Sequence, residues 1–338
     1  MAAMLEFRTQ GFNPYAVKYS PYYDSRIAVA ASANFGIVGN GRLFILGLTA
    51  RGVQVEKTFD TNDALYDLAW SEINENQVLV ACGDGSIKLY DLAVNDFPVM
   101  NLHEHKREAF SVCWKPVTKE NFMSSSWDGT VKIWSPARNH SITTLPIGSC
   151  TYSTAFCPTN PAVVSAASSD GHLRIFDLRM PPSAKYHLAL DVPVHAPNAA
   201  PAELLTHDWN KYQESVIAVA GVDRIVSVLD LRHTSKEPLS LLQGHEYAVR
   251  RLAWSPHAAD VLVSASYDMT VRLWKDASFT RPPHGPPRLV RQVGLMNRHT
   301  EFVTGLDWCL FGVGGWVASV AWDERLLLWD ANMLMTRP

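Results

Sequence analysis

Apolar and polar positions alternate along this chain in a pattern that restarts at a nearly constant interval. Six times a short apolar run leads to an Asp, a few mixed residues follow, and a second apolar run closes on an aromatic residue or Leu. The units read VLVACGDGSIKLYD (78–91), FMSSSWDGTVKIWS (122–135), VVSAASSDGHLRIFD (163–177), VIAVAGVDRIVSVLD (216–230), VLVSASYDMTVRLWK (261–275) and WVASVAWDERLLLWD (316–330). Branched and small residues in such runs suit a pleated sheet, and Asp-Gly or Asp-x-Thr between two runs makes a hairpin turn. Upstream of most pairs lies a further strand ending in Trp, at Trp70, Trp114, Trp209, Trp254 and Trp308.

The turn aspartates fall at Asp84, Asp128, Asp170, Asp223, Asp268 and Asp323, a period of roughly 40–45 residues stretched twice by insertions. Each unit is a four-stranded blade that cannot bury both faces alone, so the blades must pack radially. A seventh unit stands in degraded form at the start: Tyr15 to Ser20 mimics the Trp-ending strand, Ile27 to Ala31 and Leu43 to Leu46 are the next runs, and Asn34 to Gly41 replaces the turn Asp. Before it, Leu5, Phe7 and Thr9 alternate with polar residues. The expected fold is all-β, a seven-bladed WD40 β-propeller over residues 1–338, closed by pairing of the N-terminal strand with the last blade.

The chain has 338 residues, 47% hydrophobic and 19% charged, with a net charge of −3. That balance recruits neither nucleic acid nor an anionic membrane. No apolar stretch reaches the ~20 residues that span a bilayer, and the start lacks a secretory apolar core, so no membrane insertion is expected and the cytosol or nucleus is the default location. Cys82, Cys113, Cys150, Cys157 and Cys309 are odd in number, form no CxxC, and three of them (82, 113, 309) fall where strands want a small apolar residue. This is the usage of a reducing compartment; no metal or cofactor is expected.

Two segments exceed the repeat length. Residues 180–203 are rich in Pro and Ala, and residues 279–292 hold four prolines and three arginines, which predicts surface loops between blades without regular strands. Tolerated length variation and a partner contact both remain open for them.

His105, His245 and His299 each stand nine residues before a Trp, each with a strand serine (Ser124, Ser264, Ser319), a turn Asp (Asp128, Asp268, Asp323) and a closing Trp (Trp134, Trp274, Trp329). A Ser, His and Asp set repeated three times argues against catalysis and for a structural hydrogen-bonded chain that fixes each turn. His207, Asp208 and Trp209 read as packing with one exposed carboxylate. No GxSxG, GxxxxGK[ST], HExxH or Rossmann glycine pattern is present, so the expected function is binding, not catalysis.

On a propeller, ligands dock on one rim of the central channel. The rim registers lie three and five residues beyond each His site and one before each turn Asp. They hold Tyr66, Glu108, Phe110, Trp127, Tyr152, Arg250, Tyr267 and Trp322, with Tyr15, Glu203, Leu205, Phe302 and Thr304, and with Asp63 and Glu301 immediately beside. An aromatic ring with acidic points and one Arg suits an amphipathic helix bearing basic and aliphatic anchors.

In these residues the chain resembles the WD-repeat family of receptors for type-2 peroxisomal targeting signals. The similarity lies in NFGIVGNGRLFIL (34–46), FDTNDALYDLAWSEINENQVLVACGDGSIKLYD (59–91), SSSWDGTVKIW (124–134), HDWNKYQESVIAVAGVD (207–223), GHEYAVRRLAWSPHAADVLVSASYDMTVRLW (244–274) and HTEFVTGLDW (299–308), nearly the full length. It departs in the two proline-rich segments, in the missing Gly-His before blade four, and at Ser135 and Lys275, where Asp often follows the Trp.

The resemblance implies a cytosolic receptor that cycles to the peroxisome. Its cargo signal has a basic residue, an aliphatic, five variable residues, His or Gln, and a second aliphatic. The basic and His members are seven apart, about two helical turns, and share a face; that face would meet Glu108 and Asp63, and the apolar one Phe110, Tyr66 or Trp127. The resemblance also implies a co-receptor peroxin that clasps receptor and cargo, and a docking complex at the peroxisome. The alternative is a WD-repeat scaffold or substrate adaptor of the ubiquitin-ligase or histone-binding type, although those families usually add a helix or docking box outside the propeller.

Overall fold

The computed structural model describes residues 4–335 apart from 95, 184, 195–200, 234–236, 277–285 and 313. They form seven sheets arranged as a β-propeller, with innermost strands Asn13–Tyr19, Leu65–Trp70, Ala109–Trp114, Thr151–Phe156, Leu204–Trp209, Val249–Trp254 and Val303–Trp308. The core lies between blades: Leu79, Ile87 and Leu89 of the second pack on Trp114, Phe122 and Trp134 of the third. Six of these inner strands run into Trp or Phe because a wide ring at the strand's end fills the space that opens between diverging neighbours.

The strand Leu5–Arg8 adds to blade seven, antiparallel to Arg325–Asp330, with Leu5 opposite Leu328 and Phe7 opposite Leu326. Thr9 lies just past the strand, its amide still bonded to Glu324. The ladder leaves the last blade's edge paired, and Leu5 and Phe7 pack on Phe44, Leu326 and Leu328 across the seam between blades one and seven.

Both long segments contain strands, contrary to expectation. Leu188–Pro193 is the outer strand of blade four. It keeps proline to its last residue, where a missing amide costs no interior ladder bond. Arg288–Val290 pairs in parallel with Ser240–Leu242 and gives blade five a fifth strand. The four prolines end at Pro287, so the amides from Arg288 on are free to donate, and the Arg288 amide bonds Leu239. Residues 184, 195–200 and 279–285 of these segments lie outside the described residues.

Three polar chains run through the blades. His105 Nδ1 meets Asp128 at 3.0 Å, its Nε2 meets Ser124 Oγ at 2.8 Å, and Trp134 Nε1 donates to the same hydroxyl at 2.8 Å. His245 repeats this with Asp268, Ser264 and Trp274 at 2.8, 2.6 and 2.8 Å, and His299 with Asp323, Ser319 and Trp329 at 3.1, 2.9 and 3.1 Å. Since the indole can only donate, the serine hydroxyl donates onward to Nε2, which leaves Nδ1–H for the carboxylate. The imidazole is therefore neutral in this scheme, and burial holds His245 below the usual histidine range. Burial pushes Asp268 up, but hydrogen bonds from His245 and Thr270 and the Glu246 amide outweigh it and hold the carboxyl well below the usual range.

Blade four lacks the preceding His, and its closing position is Phe176. Its strand serine, Ser165, instead takes His207 Nε2 at 2.7 Å and Trp209 Nε1 at 2.8 Å from the next blade's inner strand. Burial pushes His207 down to about 4. Asp208, expected to be exposed, is largely covered, pairing with Lys211 at 2.7 Å and accepting from the Trp254 amide at 2.8 Å. Its strand faces the next blade's inner strand, which supplies that amide. Cys309 lies one residue past its strand, not in it; all five cysteines are free thiols.

Removing residues 1–10 should cost on the order of 3–5 kcal/mol, at about 1 kcal/mol for each lost ladder bond plus partial exposure of Leu5 and Phe7. Calorimetry reads this directly, and an unchanged melting temperature argues against closure by this strand. Asp268→Ala should destabilise by roughly 1–3 kcal/mol, because the His245 imidazole and two backbone amides lose a buried acceptor. In a urea titration the wild type should lose the same increment as pH falls from near 4, the unfolded Asp value, toward the lower folded one, while the variant should not.

Candidate functional site

All seven inner strands carry the same irregularity. Their pairing with the neighbouring strand skips one residue: Tyr15, Tyr66, Phe110, Tyr152, Leu205, Arg250 or Thr304. A bulge leaves its extra residue unpaired and re-aims its side chain, here toward one end of the channel. Two residues earlier, a carbonyl accepts the amide that precedes the hairpin turn: Glu108 from Trp127 at 3.1 Å, Ala248 from Tyr267 at 3.1 Å and Phe302 from Trp322 at 3.0 Å. Bulge and bond together bring the three rim registers to a single mouth.

The side chains there make an aromatic cup. Tyr15, Tyr66 and Phe110 form its floor, each under a tenth exposed, with Trp127, Tyr152 and Trp322 packed against them. Ring centroids lie 5.2 Å apart for Tyr15 and Tyr66, 5.1 Å for Tyr66 and Phe110, 5.2 Å for Phe110 and Trp127, and 5.6 Å for Tyr15 and Trp322. Tyr267 joins through Phe302, at 4.8 Å, which in turn meets Trp322 at 5.4 Å. Glu108 and Asp63 are half-buried at the edge. Burial, then the charges of Glu108 and Asp63, raise the Tyr66 hydroxyl above its ordinary value, so both carboxylates act on the same ring. Glu108 has Arg107 at 3.5 Å. On the other side Glu203 accepts from the Tyr152 hydroxyl at 3.1 Å. Such a surface offers apolar aromatic area, anionic edges and, among the described residues, no grouping of ligands able to hold a metal.

Arg250 departs from its expected place on the open rim. It is 2% exposed, lying under the rings with its guanidinium 4.7 Å from the Phe110 centroid. It reaches from blade six to blade three, on the far side of the ring. Its two Nη atoms have no hydrogen-bond partner among the described residues, and neither do the buried indole nitrogens of Trp127 and Trp322. The next residue, Arg251, also crosses the channel, but lower, and bonds Asp67 of blade two at 2.7 Å. Below this strut the far end of the channel opens into a cavity of about 350 Å³, lined by the ion pairs Lys18 with Asp307, Lys211 with Asp208 and Arg251 with Asp67.

Sequence reasoning missed the wall of the cup beside blade one. Residues 33–40 fold into a tight loop that sets the Phe35 ring 5.4 Å from Trp322, with Ile37 and Val38 beside it in solvent. The FGIV run between Asn34 and Gly39 was its trace in the sequence, an apolar group inside a turn.

Three stretches, residues 54–91, 97–135 and 236–275, match the WD domain, G-beta repeat. Over almost its whole length the chain is similar to proteins named peroxisomal targeting signal 2 receptor. The Saccharomyces cerevisiae one is 38% identical, covering 97% of this chain and 99% of the relative, and the Mus musculus one is 37% identical over 98% of each. The chain belongs to the peroxisomal targeting signal 2 receptor family. An Arabidopsis thaliana protein named peroxisome biogenesis protein 7 is 40% identical over 95% of this chain and 96% of its own. The receptor fold thus comes with a name tied to peroxisomal targeting and not to an enzymatic reaction. Among the described residues of this family member, no helix is long and apolar enough to cross a membrane.

The two neighbouring arginines should respond oppositely to the same change. Arg251→Met leaves Asp67 buried without its cation and should cost roughly 3–5 kcal/mol. Arg250→Met keeps the stem and removes a buried cation with unpartnered donors, so stability should hold or rise. Parallel chemical denaturation decides it: equal losses for both variants mean that the Arg250 guanidinium is paired.

Proposed function

We propose that this chain is a cytosolic cargo receptor that binds the N-terminal type-2 targeting signal of peroxisomal matrix proteins as a helix lying on the aromatic cup. With a co-receptor peroxin it carries the cargo to the docking complex of the peroxisome. The observation that carries the reading is the cup itself, an apolar aromatic floor flanked by half-buried carboxylates at Glu108 and Asp63. A helix with basic and aliphatic faces is complementary to it: rings supply area at low entropic cost, and a partly desolvated carboxylate gains most from a cation. The names of the full-length relatives support the same assignment.

The named cargo contacts are Asp63, Tyr66, Glu108, Phe110, Trp127, Tyr152, Tyr267 and Trp322. Arg250 lies beneath them, its guanidinium against the Phe110 ring.

Glu108→Lys should weaken binding of a fluorescein-labelled signal helix by at least tenfold, since exchanging a desolvated carboxylate partner for a like charge costs on the order of 2–5 kcal/mol. Glu120→Lys, exposed in a loop at the opposite end of the channel, makes the same charge change and should leave anisotropy titrations untouched. No loss at Glu108, or the same loss at both, removes this carboxylate from the cargo site.

A further inference from the structure

The loop at residues 33–40 presents apolar side chains to water at the edge of the cup. Ile37 is 81% exposed, the most of any large apolar side chain described, and Val38 is 72% exposed. A chain of this size tolerates single exposed aliphatics, but here an adjacent pair is held in place by unusual backbone. Asn34, Phe35 and Gly36 are all left-handed, at φ 49, 57 and 69°. For Phe that conformation is costly and persists only where surroundings impose it.

The surroundings that impose it are the cup's own residues. The Tyr15 hydroxyl donates to the Phe35 carbonyl at 2.5 Å and the Tyr66 hydroxyl to the Gly36 carbonyl at 3.0 Å, while Asn13 Oδ1 accepts the Phe35 amide at 2.9 Å. Gly36 is required twice over, by its positive φ and because a Cβ there would lie 2.9 Å from the Tyr15 oxygen. The loop exits through Gly41, packed so closely on Asp63 that a Cβ would fall 2.5 Å from the Asp63 carbonyl. An aliphatic lip, an acidic residue and the aromatic floor are thus built as one rigid unit.

We propose that residues 34–38 are the lip that receives the aliphatic side chain next to the basic residue of a docked signal helix, with Ile37 and Val38 as its contact surface. The inference rests on the cargo reading above. Adjacent helix residues project about 100° apart with a rise of about 1.5 Å, so a helix lying along the blade-one edge of the cup with its basic side chain at Asp63 can set the neighbouring side chain beside the loop leading into Gly41. Charge and apolar surface are laid out in the order of that pair, which favours the signal over a co-receptor segment as occupant.

The probes are a labelled helical peptide carrying Arg-Leu, five helix-forming residues and His-Leu, and the same peptide with the first Leu changed to Ala. Against the first, Ile37→Ser with Val38→Ser should lower affinity about tenfold. The Ala peptide should bind the double variant and the wild type alike, because the contact is already gone. Since both side chains stand in solvent, the melting temperature should not move, and the conservative pair Ile37→Val with Val38→Ile should keep wild-type affinity. Equal losses with both peptides, or full affinity for the first, overturn the lip. So does normal peptide binding with loss of co-receptor recruitment, which makes the co-receptor the occupant. Asp63→Lys and Glu108→Lys run beside these: if they lose binding and the lip variant does not, the cargo reading stands alone, and if none of them loses binding, both fall.

Discussion

One backbone constraint organises the working end of this molecule: the skipped residue near the start of every inner strand. In a regular strand, side chains alternate strictly between the two faces of a blade, and none is directed at the axis of the ring. The bulge breaks that alternation once per blade at a common height, so seven blades each aim one side chain at one mouth. What stands there then sets the character of the mouth. Tyr15, Tyr66 and Phe110 give it an apolar floor with Tyr152 packed against them, while Leu205, Thr304 and Arg250 occupy the rest of the circle. The scaffold supplies positions, and the identities at those positions supply function.

How far this could be read from the sequence follows from what each feature depends on. Blade number was legible because it rests on recurring local chemistry, six apolar runs each leading to an Asp turn and a degraded seventh unit at the start without the Asp. Leu5 and Phe7 were legible as a lone alternating pair with no hairpin partner nearby. The polar chains were legible because the His, Ser, Asp and Trp spacing recurs. The rim registers were legible as positions, but not their depth. Arg250 was placed on the rim by its register, five residues past His245, and a register carries no depth: a bulge under a lid of rings leaves the side chain no route to water. The strand Arg288–Val290 was hidden for a related reason: its partner Ser240–Leu242 lies some fifty residues upstream, and no local pattern announces parallel addition to an edge. The loop at Phe35 escaped because three successive left-handed residues are imposed by tertiary hydrogen bonds and not by propensity.

Charge is handled differently at the two ends of the channel. In the lower half Lys18, Lys211 and Arg251 each have a carboxylate within reach. At the aromatic end, carboxylates stand at the edge and the buried cation below them is met only by a ring face. Three ion pairs line the lower cavity, and the guanidinium beneath the cup has none among the described residues. This asymmetry distinguishes the two mouths of an otherwise near-symmetric ring.

The pairing of Leu5–Arg8 with Arg325–Asp330 has a consequence for how the chain is made. Leu5–Arg8 leaves the ribosome before its partner and must wait until residues 9–324 have been translated. Six sheets can assemble in order during that interval, but the circle shuts only once Arg325–Asp330 has emerged and docked, by a contact of very large sequence separation. Until then the last blade's edge is open to a neighbour's strand. Competition between self-capture and capture by another nascent copy is therefore decided once that strand has emerged, which makes yield in cells sensitive to expression rate and chaperone supply even where the finished ring is stable.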